Sequence, residues 1–300
     1  MASNAHTYKT PGVNLSRILE RGLVYFLLAA IGILVSLPFL WVVGNSFRTF
    51  QDVLRDITRI WPEQFYLGNW PEALSKFPFW SYLKNTLIIT IPPIITSVGS
   101  SAIVAYGFAR FRTRWTGILF TLMLATMMVP GQITTIPIYV MFTKLHWVDT
   151  FYPFLIPALF GSTFDIFLLR QFFLNVPRDL ADAARVDGAN EVQIFRHVYL
   201  PLSTAPIAAL VVLQFLGRWN DYYGPSVYLM SQKNYVLQQG LGYLMSVYGA
   251  SLGTGHDTMN MVPWNLLSAA SILVTIPIIV IFFFAQKQFI EGVRFTGLKG

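Results

Sequence analysis

Asn175 to Pro201 reads NVPRDLADAARVDGANEVQIFRHVYLP, a polar island between two stretches apolar enough for a membrane interior. It sets Arg178, Arg185, Arg196 and His197 against Asp179, Asp182, Asp187 and Glu191, so it cannot lie in hydrocarbon. Its punctuation is that of two short helices. Pro177 suits a first helical turn, Asp179 complements the N-terminal dipole, and Gly188 is a natural stop. Asn190 with Gln193 three residues on predicts a capping box, and Pro201 is expected to close the second helix. A helix, a turn and a helix should project from the membrane.

The rest of the chain agrees with a membrane setting. Of 300 residues 54% are hydrophobic and 12% charged, which is too apolar for an ordinary soluble domain of this length. Six segments approach the ~20 apolar residues that cross a ~30 Å hydrocarbon core. They run Leu23 to Val43, Leu83 to Ala109, Gly117 to Met141, Tyr152 to Phe173, Leu202 to Trp219 and Leu266 to Ala285. The fold class expected is an all-α polytopic membrane protein with six transmembrane helices. Residues 1–16 read as a disordered cytosolic tail without a removable signal, and 17–300 as a single transmembrane domain with its core at about 80–290.

Charge orients the spans. Lys9, Arg17 and Arg21 precede the first, Arg110, Arg112 and Arg114 crowd the connection after the second, and Lys287, Arg294 and Lys299 follow the last. With six crossings, thirteen Lys and Arg fall on one side together with the island, while eight fall on the other beside seven acids. The positive-inside rule then makes both termini and the island cytoplasmic, and it explains the net charge of +7 without nucleic acid. Two external connections, Gly44 to Tyr82 and the loop at 222–263, are too long for tight turns and are rich in aromatic residues or glycine. The second is expected to be an ordered external loop.

Several features bear on chemistry. Ser97, Ser101, Ala105 and Ala109 recur every four residues, giving one helix face small enough for close backbone approach. Pro92, Pro93, Pro130, Pro137, Pro157, Pro206 and Pro277 interrupt the spans, as kinks or as the ordinary proline of membrane helices. Asp165 stands halfway along the fourth span, where it is either a buried group fixing helix packing or a polar group in a translocation path. At the outer end of the fifth span, Trp219, Asn220, Asp221 and Tyr222 combine aromatic faces with donors and acceptors. That composition fits either a sugar or an interfacial aromatic belt. No phosphate-binding loop, H-E-x-x-H or G-x-S-x-G occurs, the four histidines are scattered, and cysteine is absent. No catalytic residue and no metal site is expected.

The island then acquires a family. Asp182-Ala183-Ala184, three residues, Gly188, nine residues and Val198-Tyr199-Leu200-Pro201 resemble the EAA loop of ABC-importer permeases, with Asp182 for the commoner Glu and Val198 for Ile. LKNTLIIT at Leu83 to Thr90, SAIVAYGFARF at Ser101 to Phe111, FLLRQFF at Phe167 to Phe173, RWNDY at Arg218 to Tyr222 and the ending Gly297 to Gly300 are similar to the smaller, six-span, maltose-type carbohydrate permeases. The resemblance implies a type I ABC importer permease fold whose coupling helix, Pro177 to Ala189 in the loop at 175–201, docks on a separate ATPase. Asp182 would pair an arginine there. Ala183, Ala184, Asp187, Gly188, Leu200 and Pro201 would complete the coupling site.

It further implies a homologous second permease, a pair of ATPase subunits carrying ATP and Mg, and an extracytoplasmic sugar-binding protein touched through Tyr248, Gly249, Ser251 and Gly253. This chain itself would bind no cofactor and catalyse no reaction. The setting is a bacterial or archaeal plasma membrane with its lipids. The competing readings are a secondary active transporter, which needs paired intramembrane charges and an inverted repeat, a permease for another small polar solute, and a membrane enzyme.

Overall fold

The computed structural model describes residues 15–111, 113–252 and 263–297, with side chains over 20–111, 113–246 and 263–284. Every regular element among them is helical. Four stretches are long and apolar enough to cross a membrane unaided, Glu20–Asn45, Phe79–Arg110, Tyr152–Asn175 and Trp264–Phe284. Two further helix pairs, bent by 93° and 75°, pass the same test when each pair is counted together, so the candidate spans number four to six among the described residues.

The first helix, α1 (Leu15–Asn45), exposes almost its whole apolar surface, Tyr25, Phe26 and Leu34 included. It leans on the last helix where Trp41 meets Trp264 edge to face at 6.0 Å. Beyond it, α2 (Phe50–Arg55) and α3 (Asn69–Lys76) pack the first long connection around Arg48, which is fully buried. Its guanidinium donates to Asn45 Oδ1, to both Asp52 carboxylate oxygens and to the carbonyls of Asp52, Asp56 and Arg59. A buried cation is tolerable only when paired and hydrogen-bonded in this way. Asn69, also fully buried, donates to the carbonyls of Ser46 and Arg48 and accepts from Asn265, tying this cap to the last helix.

The central element is α4 (Phe79–Arg110). Its small-residue face is buried as the spacing predicts, Ser97 at 1%, Ser101 and Ala105 at 0% and Ala109 at 8% exposure. α8 (Thr163–Asn175) and α12 (Thr204–Trp219) pack against α4. At one point backbone meets backbone. Gly161, at φ +80°, would bring a Cβ within 2.8 Å of Ser101 Oγ, and the next amide, Ser162 N, donates to that oxygen at 2.9 Å.

The third predicted span is corrected by the structure. Instead of one helix over Gly117 to Met141, α5 (Thr116–Thr126) and α6 (Gly131–Lys144) meet at 93°. Pro130 supplies the reason, because it cannot donate to a helix running through it and biases Val129 away from helical backbone. The fourth span is also interrupted. The short α7 (Tyr152–Leu155) and a 3-10 turn, Pro157–Phe160, precede α8, so Asp165 falls in a first turn.

After α8 come the island helices α9 (Arg178–Val186), α10 (Glu191–Ile194) and α11 (Leu200–Leu202), the last two joined by a π turn, Phe195–Tyr199. The helical run passes through Pro201 and ends at Leu202, one residue later than expected. The turn widens so that Leu200 N donates to Phe195 O, making room for a residue without an N–H, and the 75° bend falls at Ser203. The long connection after α12 is likewise more regular than a loop. It forms α13 (Tyr223–Tyr228) and α14 (Leu237–Leu252) before α15 (Trp264–Gly297), and Leu229, Val236, Leu237 and Leu244 are buried.

Candidate functional site

The island is built upward from an aromatic base. The Tyr106 ring, near the end of α4, meets Tyr199 at 4.9 Å, Phe195 at 5.1 Å and Phe173 at 6.4 Å. Arg110 lies over Tyr199, 5.6 Å from the ring centroid. Ile194 and Ala181 are fully buried in the same cluster. Thus the helix after the turn is pinned by its aromatic residues, and α9 is pinned through the small side chains of Ala181 and Ala184.

The turn itself is fixed by backbone. Gly188 sits at φ +86°, Gly188 N donates to Arg185 O at 3.0 Å and Ala189 N to Ala184 O at 2.9 Å, which is the Schellman arrangement. Ala184 and Ala189 both pack on the core, providing the apolar contact that accompanies that motif. Asn190 and Gln193 form the expected reciprocal capping box, at 2.8 and 2.9 Å. Two helices are therefore held at a defined angle by a turn with no slack.

A chain of charge then runs from the surface into α4. Arg185 bridges Asp182 and Glu191, each at 2.6 Å, and the second oxygen of Glu191 accepts the Tyr106 hydroxyl at 2.6 Å. Asp182 is exposed, so it remains open to a further cation. Of the two alanines in the motif, Ala184 faces inward and Ala183 outward. The outer face also carries Leu180 at 46% and Val186 at 88% exposure, with Val192 at 73% beside it. Asp187 caps α9, Leu200 packs on the core and Pro201 is exposed. Sequence reasoning missed Tyr106, Arg185 and Glu191 as one unit. The only signal was YGFAR ending the second span on the island's side.

The residues considered for a solute path are dispersed. Asp165 is 2% exposed, and its Oδ2 accepts from Gln214. That amide also donates to Ser97 Oγ at 3.0 Å and accepts from Arg218 Nε at 3.2 Å, so one polar chain joins α4, α8 and α12. Trp219 is 1% exposed, stacked on Phe215, with its indole N–H on Val274 O at 3.0 Å. Asn220 donates back to Leu216 O and Asp221 accepts from Gly224 N, both local turn bonds. Tyr222 is the member that lines a cavity, a groove of about 500 Å³ between α13 and α14. The side chains of Tyr248, Gly249 and Ser251, and all of Gly253, lie outside the described residues. Among those described, no cluster of His, Asp and Glu could hold a metal ion.

Residues 97–295 match the family model described as binding-protein-dependent transport system inner membrane component. The chain belongs to that family. Among the relatives, a probable ABC transporter permease of Pyrococcus horikoshii is 32% identical over 91% of this chain and 96% of its own length. The arabinooligosaccharide transport permease of Halalkalibacterium halodurans is 31% identical over 91% and 94%. In the crystal structure of a bacterial ABC transporter that imports the acidic polysaccharide alginate, one chain is 23% identical, covers 93% of this chain and 99% of itself, and superposes with a TM-score of 0.78. That likeness is one of fold. As a member of the family the chain is a multi-pass permease subunit of an ABC transport system and not an enzyme.

Proposed function

We propose that this chain forms half of the pathway of an ATP-driven importer of di- or oligosaccharides, and that the island at 175–201 is its coupling element. The observation that carries the reading is the continuous link Asp182, Arg185, Glu191, Tyr106, which joins an exposed helix to the central span. Rigid joints of this kind transmit a rigid-body motion, whereas a slack loop would absorb it.

In this account both termini and the island are cytoplasmic. α9 seats in a separate ATPase subunit with Leu180, Ala183 and Val186 against it, and Asp182 offers its free oxygen to a cation there. ATP and Mg bind the ATPase pair and not this chain. Closure of the ATPase pair draws two such helices together and turns this permease and a homologous partner from inward-open to outward-open. An external binding protein delivers the solute, which must bind the two states with different affinity for energy to be coupled.

Sugar as cargo is supported by relatives named for arabinooligosaccharide and lactose transport. A relative named for sn-glycerol-3-phosphate transport, 30% identical over 73% of the chain, supports a second reading, a different small polar solute. Reconstitution with the second permease, the ATPase pair and the binding protein tests the proposal. Uptake of labelled oligosaccharide should require ATP and every subunit. Uptake driven by an ion gradient without the ATPase would refute it.

A further inference from the structure

The groove between α13 and α14 has a composition that the coupling account leaves unused. It is lined by Tyr222, Ser226, Tyr235, Gln239, Tyr243 and Ser246, with Leu229, Met230 and Gly242 completing the wall. Among the described residues no charged side chain borders it. Its volume, about 500 Å³, lies within the range of small-molecule sites, ~300–1,000 Å³. Among the described residues the side-chain hydroxyls of Tyr222, Tyr235 and Ser226 make no hydrogen bond, so they are available to a ligand.

The walls are fixed before any ligand arrives. Gln239, 7% exposed, donates to the carbonyls of Pro225 and Leu229 and accepts from Val236 N. Asp149 holds the adjoining strip, accepting from Met230 N, Ser231 N and Asn234 Nδ2. Tyr222 is laid against α14 at Gly242, where a Cβ would come within 3.3 Å of its ring. A residue without a side chain at that point lets the ring form one wall of the groove.

We propose that this groove is a binding subsite for an uncharged saccharide unit on the face opposite the coupling island. It deepens the sugar-import reading and rests on it. α12, 16 residues and about 24 Å long, separates the groove from the island side. Ring faces pack the C–H surfaces of a sugar, free phenolic and seryl hydroxyls meet its hydroxyls, and the absence of a cation disfavours a uronate. A saccharide leaving the binding protein would meet this subsite before the membrane interior.

The test is saturation-transfer NMR on the assembled transporter in nanodiscs without its binding protein, using arabinotriose, maltotriose and trigalacturonate as probes. At least one neutral trimer should give ring-proton signals, and trigalacturonate should give none. Tyr222→Ala, at an exposed position, and Gly242→Leu, which fills the groove, should each weaken the response about tenfold, as loss of one stacked ring implies. Subunit assembly of each variant is checked in the same preparation. Unchanged signals in both variants, or an equal response to trigalacturonate, would overturn the subsite while leaving saccharide import standing. Silence from all three probes, with a binding protein that captures no saccharide, would overturn both.

Discussion

The Tyr106 hydroxyl donates to Glu191 at 2.6 Å across 85 residues of sequence, joining the end of the central helix to the second helix of the polar island. Because Arg185 holds the other oxygen of Glu191 and also Asp182, a displacement of α9 is felt in α4 without passing through a flexible segment. Tyr106→Phe removes one charge-assisted hydrogen bond, costing about 1–3 kcal/mol, and keeps the ring in its aromatic cluster. The expected outcome is an inserted, assembled transporter whose ATPase is poorly stimulated by loaded binding protein. Glu191→Gln should act in the same direction. Stimulation at the original level in both would remove this link from the coupling account.

Gly188 tests whether backbone or volume matters at the turn. Nothing lies within 4 Å of a Cβ built there, so within this chain only φ is demanding. A β-branched residue in the left-handed region costs about 1–2 kcal/mol, and asparagine much less. Gly188→Asn should retain ATPase association measured by co-purification, and Gly188→Val should lose it. Equal loss in both would mean that the partner, not the turn, rejects a side chain.

Asp165 anchors the polar chain through Gln214 to Ser97 and Arg218. Asp165→Leu takes away the carboxylate that accepts from the half-buried Gln214 amide, and a hydrogen-bonding group left without its partner costs about 1–3 kcal/mol. The variant should lose thermal stability in detergent, whereas Asp165→Asn should keep most of it through its remaining carbonyl. An Asp165→Leu protein of normal stability but altered solute affinity would place Asp165 in the path instead.

Asp149 makes a pH prediction. Burial pushes its carboxyl up, but hydrogen bonds from Ser231, Asn234 and Met230 outweigh that and hold it at about 2, below the ordinary 3.8. A depressed carboxylate stabilises the fold above its unfolded value and loses that contribution as pH falls through the folded one. The anchorage of the 229–234 strip should therefore be intact above pH 3.8 and fail between there and about 2, as read by proteolysis of that strip. Asp149 also has φ +61°. Asp149→Gly, which keeps that backbone, should open the strip at neutral pH, and an unchanged cleavage pattern would contradict the assignment.

What the sequence disclosed follows from the range of each interaction. Caps and stops are local, so Asn190, Gln193 and Gly188 could be read directly, as could the small face of α4 from its period of four. The break at Pro130 was visible as a residue but not as a 93° angle, because proline in a membrane helix is as often a mild kink. Trp219 suited either a sugar face or an interfacial belt, and only packing against Val274 and Phe215 buried it. Arg48, Gln214 and the Tyr106 to Glu191 bond join residues distant in the chain or folded into one another's shells, and no spacing rule encodes such pairs.

The most direct test of the coupling claim uses the absence of native cysteine, which makes every introduced thiol unique. Single cysteines at Leu180, Ala183 and Val186 lie on the open face of α9, and one at Ala181, fully buried, faces the core. In membranes containing the assembled transporter, a short bifunctional cross-linker should join Leu180→Cys, Ala183→Cys and Val186→Cys to the ATPase subunit and leave Ala181→Cys unlinked, with yields that change when ATP is bound. No ATPase adduct from any outward position, or adducts only with material on the external side, would contradict the account.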